Sequence, residues 1–273
     1  MILSIEGEPK TGKTTLALTA PLPIVAFSFD LGLERAIYGT EHEKHFAGLQ
    51  IEIIKYRDKM PENTLNGNDI TIYQLPEPIQ LDSNLVVGCL ELWEYFIKLV
   101  AATIQDSSIR TVVVDTMTLA RRVKADAYLQ KLQQDAISQK QAPRRNLLQI
   151  EYGQVNEAIR QIFAICDSTG KNLVATHHLR DHYVPQVRDG LRETVPDGTL
   201  ELEGWNDTYK NVDVAIRNEK KGKEIASTIQ VCGYALDLEG RSIGNCTWDK
   251  LITLIAASTG ERIPFDRRND SSE

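Results

Sequence analysis

The residues with the clearest chemical potential lie near the amino terminus, in Gly7-Glu-Pro-Lys-Thr-Gly12-Lys13-Thr14. The segment matches the pattern G-x-x-x-x-G-K-[ST], in which glycines let the backbone curl so that its N–H groups face phosphate oxygens. Lys13 is then expected to reach the β- and γ-phosphates, and the Thr14 hydroxyl to bind Mg²⁺. The residues expected to contact a nucleotide are Gly7, Glu8, Pro9, Lys10, Thr11, Gly12, Lys13, Thr14 and Thr15.

A second candidate is the carboxylate that ends the apolar segment Thr111-Val-Val-Val-Asp115. A carboxylate at the end of a buried strand beside a phosphate loop typically holds the Mg²⁺ shell, often through water. Asp115 is therefore predicted to share the metal with Thr14. The alternative is that Asp115 only caps the helix that follows, since Asp is a favoured N-cap residue.

A third candidate is Asp30, which closes the next strand-like segment, Val25-Ala-Phe-Ser-Phe-Asp30. In a parallel sheet this strand end lies on the same edge as the phosphate loop. A carboxylate there can orient and deprotonate an attacking water. Glu34 is the competing candidate, and Asp30 also suits a loop start.

The elements that would position these residues are strands alternating with helices, which predicts an α/β fold with a mostly parallel sheet and helices on both faces. A hairpin is predicted from residues 212–217 and 225–231, across a turn rich in lysine. The charged stretch 179–206 is expected to be a long loop. The predicted strands are 1–6, 24–29, 51–56, 69–75, 111–115 and 173–176, and the predicted helices are 13–18, 90–104, 119–141, 147–166 and 248–258.

Length and composition exclude several classes of protein. The chain has 273 residues, with 31 Lys and Arg against 38 Asp and Glu, giving a formal net charge of −7. That charge disfavours a strongly basic nucleic-acid coat or a protein drawn to anionic membranes. The start lacks a basic signal region, and no apolar run approaches the ~18 residues of a membrane span. We expect a cytoplasmic protein, of bacterial or phage-infected host cytosol, with one domain (1–262) and a flexible tail (263–273).

The cysteines favour the same compartment. Their positions are widely scattered, without any Cys-x-x-Cys pair, which indicates buried thiols in a reducing environment rather than disulfides or a zinc site. They are Cys89, Cys166, Cys232 and Cys246.

The order of these motifs resembles the RecA-like P-loop ATPase core. More closely, Gly-Glu-Pro-Lys-Thr-Gly-Lys-Thr-Thr followed by Ala175-Thr-His-His-Leu-Arg-Asp181 resembles phage and prophage nucleotide-binding proteins grouped with AAA-type ATPases. Some of these are single-strand annealing recombinases. The resemblance covers residues 1–235 or so and implies a RecA-like sheet, ATP as nucleotide and Mg²⁺ as cofactor.

The resemblance also implies roles for residues after the strand 173–176. The family's γ-phosphate sensor would fall on His178, with Thr176 and His177 as near alternatives. Two DNA-contacting loops would fall around residues 140–145 and in 179–206, with Tyr183 as a stacking platform. The alternative is an ordinary solvated charge run. The basic residues concerned are Lys140, Arg144, Arg145, Arg180, Arg188 and Arg192.

Lysines in the predicted hairpin turn have a further implied role. In RecA-like rings and filaments such lysines reach the γ-phosphate of the neighbouring subunit, which makes a second copy of the chain an implied partner. Here they are Lys220, Lys221 and Lys223. The alternative is a solubilising turn.

The function expected from the sequence is Mg-dependent ATP binding and hydrolysis coupled to single-stranded DNA in phage-type recombination or annealing. Two alternatives remain open. One is a nucleotide-driven switch without DNA, whose partner is another protein. The other is a small-molecule phosphotransferase in which the stretch 179–206 is a lid.

Overall fold

The computed structural model describes residues 1–38, 43–56, 67–81, 84–188, 191–222 and 224–260. The tail expected at 263–273 and Lys223 lie outside the described residues. None of the described helices combines the length and apolar character needed to cross a membrane.

The structure describes eleven strands. In chain order they are β1 (Ile2–Gly7), β2 (Ile24–Ser28), β3 (Ile51–Lys55), β4 (Ile70–Gln74), β5 (Thr111–Asp115), β6 (Asn172–His177), β7 (Leu179–Arg188), β8 (Leu191–Leu202), β9 (Val214–Lys221), β10 (Glu224–Cys232) and β11 (Ser242–Gly244). The helices are α1 (Lys13–Ala17), α2 (Leu33–Tyr38), α3 (Glu43–Phe46), α4 (Cys89–Gln105), α5 (Met117–Ser138), α6 (Tyr152–Ser168) and α7 (Trp248–Thr259).

Nine of the described strands form one sheet in the order β11-β10-β9-β1-β6-β5-β2-β4-β3. The strands from β9 to β3 are parallel, and β10 and β11 extend the sheet antiparallel at one edge. This confirms the predicted α/β class, a mostly parallel sheet flanked by helices with a hairpin near its carboxyl-terminal end. Because β1, β6, β5 and β2 are neighbours, the side chains at their carboxyl ends meet at one edge.

Helices cover both faces of the sheet. On one face α4, α5 and α6 pack on alternate strand residues that include Val112 and Val114. On the other face α1, α2 and α7 pack on the intervening ones, including Val113. All five residues of β5 are buried, as expected of a central parallel strand covered on both faces. The carboxyl edge of the sheet is therefore built on fully packed strands.

The prediction of a long loop at 179–206 is wrong, because β7 and β8 form a two-stranded antiparallel ribbon there. The high charge of this stretch obscured alternating β-branched and aromatic residues. Asp189-Gly190 separates the two strands in the sequence, and Asp-Gly between such runs is a strong hairpin signal. The segment that the phosphotransferase alternative requires as a lid is therefore a ribbon and not a loop.

Some helix bounds also differ from expectation. The helix expected from residue 147 begins at Tyr152, after a single 3-10 turn over Gln149–Glu151. Leu148, which lies within the predicted helix, is 59% exposed. The gap expected between the predicted helices 119–141 and 147–166 is present, since α5 ends at Ser138. The short helices α2 and α3 were not predicted.

Candidate nucleotide site

The loop Gly7–Thr14 connects β1 to α1 and wraps around the Lys13 side chain. The Lys13 ammonium donates hydrogen bonds to the carbonyl oxygens of Gly7 and Glu8, both at 2.8 Å. Thr11 closes the turn by donating its hydroxyl to the Glu8 carbonyl at 2.7 Å. These contacts hold the lysine at the centre of a curled backbone, the arrangement that binds phosphates in P-loops.

Two glycines are required by this geometry. A Cβ at Gly7 would lie 2.6 Å from the carbonyl oxygen of Asn218 on β9, so the loop can pass the strand only without a side chain. Gly12 has a φ of 73°, in the left-handed region that glycine adopts without penalty. The sequence pattern is therefore explained by a close approach at one glycine and a turn at the other.

The Asp115 carboxylate is held by hydroxyls from two directions. Thr14 donates to it from α1 at 3.1 Å, and Thr176 donates from β6 at 2.5 Å. The helix after β5 is capped by Thr116, whose hydroxyl accepts from the Leu119 N–H. Asp115 is thus not the cap, and its oxygens face Thr14 as the metal-binding interpretation expects.

Electrostatics at this carboxylate are unusual. Asp115 is completely buried, and burial raises its pKa to about 7, with the nearby Asp30 charge acting in the same direction. The Thr176 and Thr14 hydrogen bonds and the Lys13 charge oppose that rise. Burial likewise lowers the pKa of Lys13. A buried carboxylate with so little compensating positive charge is suited to a hard cation, which would favour its ionised form.

The donor set fits Mg²⁺. The ion prefers oxygen ligands and is commonly held by one or two carboxylates or hydroxyls together with substrate phosphates. The Thr14 hydroxyl and the Asp115 carboxylate supply that chemistry. Among the described residues no group of three or more His, Cys, Asp or Glu side chains is placed to hold a metal without a phosphate ligand.

Asp30 and Glu34 face different surroundings. Asp30 follows β2, lines the same cleft as Lys13, and accepts a hydrogen bond from the Gly32 N–H at 2.8 Å. Glu34 accepts a hydrogen bond from the Gln74 side chain at 2.9 Å and does not line that cleft. The geometry favours Asp30 as the carboxylate within reach of a bound phosphate.

The three candidate γ-phosphate sensors at the end of β6, Thr176, His177 and His178, have different surroundings. The Thr176 hydroxyl is committed to Asp115, and His177 is buried, with its pKa lowered to about 3 by burial. His178 lines the cleft, and its backbone N–H donates to the Thr118 hydroxyl at 3.0 Å. Burial and the Lys13 charge lower the pKa of His178. Of these three side chains, His178 is the one that lines the cleft.

These groups surround one cleft of about 550 Å³ at the carboxyl edge of the sheet. A second pocket of about 340 Å³ adjoins it and shares Gly12, Thr15 and Ile225 with it. The polar and charged side chains that line the first cleft are Lys10, Thr11, Lys13, Thr14, Thr15, Asp30, Arg35, Asp115, His178 and Lys220.

Sequence reasoning missed two kinds of residue here. Arg35 lines the cleft from α2, a helix that was not predicted. Asn218 braces the P-loop by donating its side-chain amide to the Thr11 carbonyl at 3.0 Å, and the Ser227 hydroxyl orients it at 2.7 Å. Asn218 lies one residue beyond the strand predicted at 212–217, and its partner is 207 residues away in the sequence, so no local pattern marked this contact.

The basic residues assigned to DNA contact are only partly available. Arg180 pairs with Glu201 across the ribbon at 2.7 Å, and Arg144 pairs with Glu151 at 2.5 Å. The remaining four divide between an exposed turn and the ribbon tip. Lys140 and Arg145 are exposed in the turn between α5 and α6, and Arg188 and Arg192 lie at the ends of β7 and β8.

The hairpin lysines point in different directions. Lys220 lines the cleft of its own chain. Lys221 is the next residue along β9, and successive side chains of a strand point to opposite faces of a sheet. Lys223 is outside the described residues.

The sheet order, the loop between β1 and α1, and the carboxylate at the end of β5 define an α/β domain of the P-loop type. A family model for an AAA domain, AAA_24, matches residues 1–240. The chain belongs to this family of AAA-type ATPase domains, which supports nucleotide binding and hydrolysis at a general level.

The other comparisons are more distant. No curated protein matches the chain significantly. A KaiC-like protein from the archaeon Pyrococcus horikoshii OT3 is similar in structure, with 13% identity, a TM-score of 0.38, and coverage of 89% of this chain and 83% of the other. An ATPase from the type III secretion system of pathogenic bacteria has 10% identity and a TM-score of 0.39, over 80% of this chain and 51% of the other.

Proposed function

We propose that this chain binds Mg·ATP in the P-loop cleft, hydrolyses it, and uses the cycle to control binding of single-stranded DNA. The observation that carries the ATPase part is the convergence of Lys13, Thr14, Asp115, Asp30 and His178 on one cleft. They come from the start of α1 and from the carboxyl ends of β5, β2 and β6, and each is of the type that phosphoryl transfer to water requires.

The chain's own residues divide the work. Lys13 and the loop bind the phosphates, while Thr14 and Asp115 hold the metal. Asp30 orients water and accepts its proton. When bound, Mg²⁺ neutralises charge on the phosphates and polarises the transferred group. The adjoining pocket that begins at Gly12 and Thr15 receives the nucleoside.

His178 connects the cleft to the ribbon formed by β7 and β8. It is the residue between β6 and β7, and its carbonyl oxygen accepts the Glu203 N–H at 3.0 Å, which closes the ribbon base. A change in the hydrogen bonding of His178 on loss of the γ-phosphate therefore acts on the residues that anchor the ribbon. Basic residues at the ribbon tip and in the turn near Lys140 supply the DNA contacts, as in phage-type recombination or annealing.

ATPase measurements with and without oligo-dT, across a salt series, test this function. We expect stimulation by oligo-dT and binding that weakens with salt, with a log–log slope of about −0.7 for each phosphate neutralised. The double variant Lys140→Ala/Arg145→Ala should bind oligo-dT more weakly, and its affinity should depend less steeply on the salt concentration. The control Lys55→Ala/Lys98→Ala removes the same charge from exposed positions on β3 and α4 and should change neither.

A second candidate is a nucleotide-driven switch with a protein partner. It is favoured by the two arginines that already pair with carboxylates, Arg144 with Glu151 and Arg180 with Glu201. These pairs reduce the positive charge presented to a phosphate backbone. Nucleotide hydrolysis that is insensitive to oligo-dT, without salt-dependent DNA binding, would support the switch against the DNA-coupled function.

A further inference from the structure

The hairpin of β9 and β10 packs directly on the P-loop of its own chain. β9 is parallel to β1, with Asn218 opposite Gly7. The Asn218 amide holds the Thr11 carbonyl, and Ile225 of β10 lies so close to Gly12 that a Cβ there would be 2.6 Å from its Cδ1. The hairpin is therefore a fixed wall of the phosphate site.

Strand alternation places Lys220 on the same face as Asn218. Val214 and Ile216, on that face, pack in the core shared with α1, which follows the P-loop. Lys220 continues this series beyond Asn218, and the residue paired with it across the hairpin is Ile225. Its side chain consequently extends from the braced part of β9 toward the open end of the loop.

The negative charges of a nucleotide bound in the cleft are the partner that we expect for Lys220. The cleft is lined by the acids Asp30 and Asp115 and by the cations Lys10, Lys13 and Arg35 in addition to Lys220. A triphosphate brings about four negative charges at neutral pH. An exposed ammonium group at the rim can contact these charges without being desolvated beforehand.

We propose that Lys220 binds the phosphates of the nucleotide held by the P-loop of its own chain, instead of reaching the site of a neighbouring copy. This inference rests on the proposed nucleotide binding and adds a phosphate-binding residue to it. Lys221, on the opposite face of β9, has no such role and is the matched control.

The first experiment measures binding of a nonhydrolysable ATP analogue with Mg²⁺ to the full chain. Lys220→Ala should weaken binding roughly tenfold or more, the effect of losing one charge-assisted contact. Lys220→Arg should retain most of the affinity, and Lys221→Ala should match the wild type. Equal affinity of Lys220→Ala and wild type would overturn the inference alone. Absence of binding by wild type would instead overturn the proposed function.

The second experiment distinguishes a Lys220 that acts within its own chain from one that acts on a neighbouring copy. Lys220→Ala is mixed with Lys13→Ala, which has an intact Lys220 but no phosphate-binding lysine in its loop. If Lys220 acts within its own chain, the activity of the mixture equals the sum of its components at every protein concentration. Activity above that sum, rising with concentration, means that one copy supplies Lys220 to another and overturns the inference.

Discussion

The Thr176 hydroxyl donates a hydrogen bond to the Asp115 carboxylate at 2.5 Å, across the pairing between β6 and β5. Thr176 is fully buried, as is Asp115. Thr176, one of the candidate phosphate sensors, thus supports the carboxylate that we propose as a metal ligand. The contact fixes the carboxylate toward Thr14 and leaves the adjacent His178 as the group that meets the cleft.

The raised pKa of Asp115 predicts two opposite pH dependences. Binding of Mg²⁺ with a nucleotide requires the ionised carboxylate, so affinity should fall about tenfold per pH unit below pH 7. Without metal or nucleotide, stability should change the other way. The carboxyl group in the unfolded chain has a pKa near 3.8, while in the folded chain it keeps its proton to about pH 7. Folding stability is therefore lost as pH rises between these values.

Asp115→Asn tests both dependences together. Without metal or nucleotide, the variant should melt higher than wild type at pH 8, and the difference should shrink toward pH 4. It should show no rise in melting temperature with Mg·ATP. Scanning calorimetry at several pH values measures both. A variant that melts lower than wild type at pH 8 would contradict the buried-charge account.

Asp30→Asn should bind Mg·ATP with nearly unchanged affinity but hydrolyse it ~100- to 10,000-fold more slowly, the usual contribution of a general base. Glu34→Gln is the matched control, because Glu34 is bonded to Gln74 outside the cleft. Single-turnover hydrolysis with both variants separates them. Slow hydrolysis by Glu34→Gln together with normal hydrolysis by Asp30→Asn would assign the general-base role to Glu34.

The contiguous parts of the site could be predicted from the sequence because local pattern determines them. The loop Gly7–Thr14 carries its own turn glycines, and Thr111–Asp115 is apolar throughout because both faces of β5 are buried. Parallel strand order then brings Asp30 to the same edge. In each case the residue can be placed from its spacing along the chain and from the rule that the carboxyl ends of parallel strands lie at one edge of the sheet.

Contacts between distant segments could not be predicted in this way. The brace from Asn218 to Thr11 depends on β9 lying beside β1, and the sequence shows no register for that pairing. The side of β9 on which Lys220 lies depends on the same register. The ribbon of β7 and β8 was missed for a different reason. The high charge of residues 179–206 favoured a loop, although Asp189-Gly190 is a turn signal.

Lys13→Ala should abolish the stabilisation that ATP gives. At ~100 times its dissociation constant, Mg·ATP should stabilise the wild type by about 2.7 kcal/mol, which corresponds to roughly 5–10 °C in melting temperature for a domain of this size. Thermal melts with and without Mg·ATP measure this. Lys13→Ala without nucleotide must melt cooperatively for the comparison to hold, and Lys221→Ala should respond like wild type. An equal shift in Lys13→Ala would contradict phosphate binding by the loop.

A buried ion pair joins β1 to β9 beside the site. Glu6 is fully buried and accepts hydrogen bonds from Arg217 at 2.5 Å and from the Tyr209 hydroxyl. Arg217→Met should destabilise the chain by about 3–5 kcal/mol, because it leaves Glu6 buried without its charge partner. Glu6→Gln combined with Arg217→Met should recover part of the loss. Urea unfolding measures both, and a cost below about 1 kcal/mol for Arg217→Met would contradict the pairing.

The close approach at Gly7 predicts that Gly7→Ala damages the site as well as the fold. The added methyl would meet the Asn218 carbonyl oxygen at 2.6 Å and the Thr11 hydroxyl at 2.7 Å, so the loop must move away from β9. Because Asn218 and Thr11 also share the bracing hydrogen bond, we expect loss of stability by about 1–3 kcal/mol and loss of nucleotide affinity together.

Gly153→Ala is the matched control for that substitution. Gly153 lies in the first turn of α6, where an added Cβ has no heavy atom within 4 Å. Alanine there should stabilise the helix by up to about 1 kcal/mol and leave nucleotide binding unchanged. Urea unfolding and Mg·ATP titration of both variants make the comparison. If Gly7→Ala binds nucleotide like Gly153→Ala, the contact between the P-loop and β9 does not shape the phosphate site.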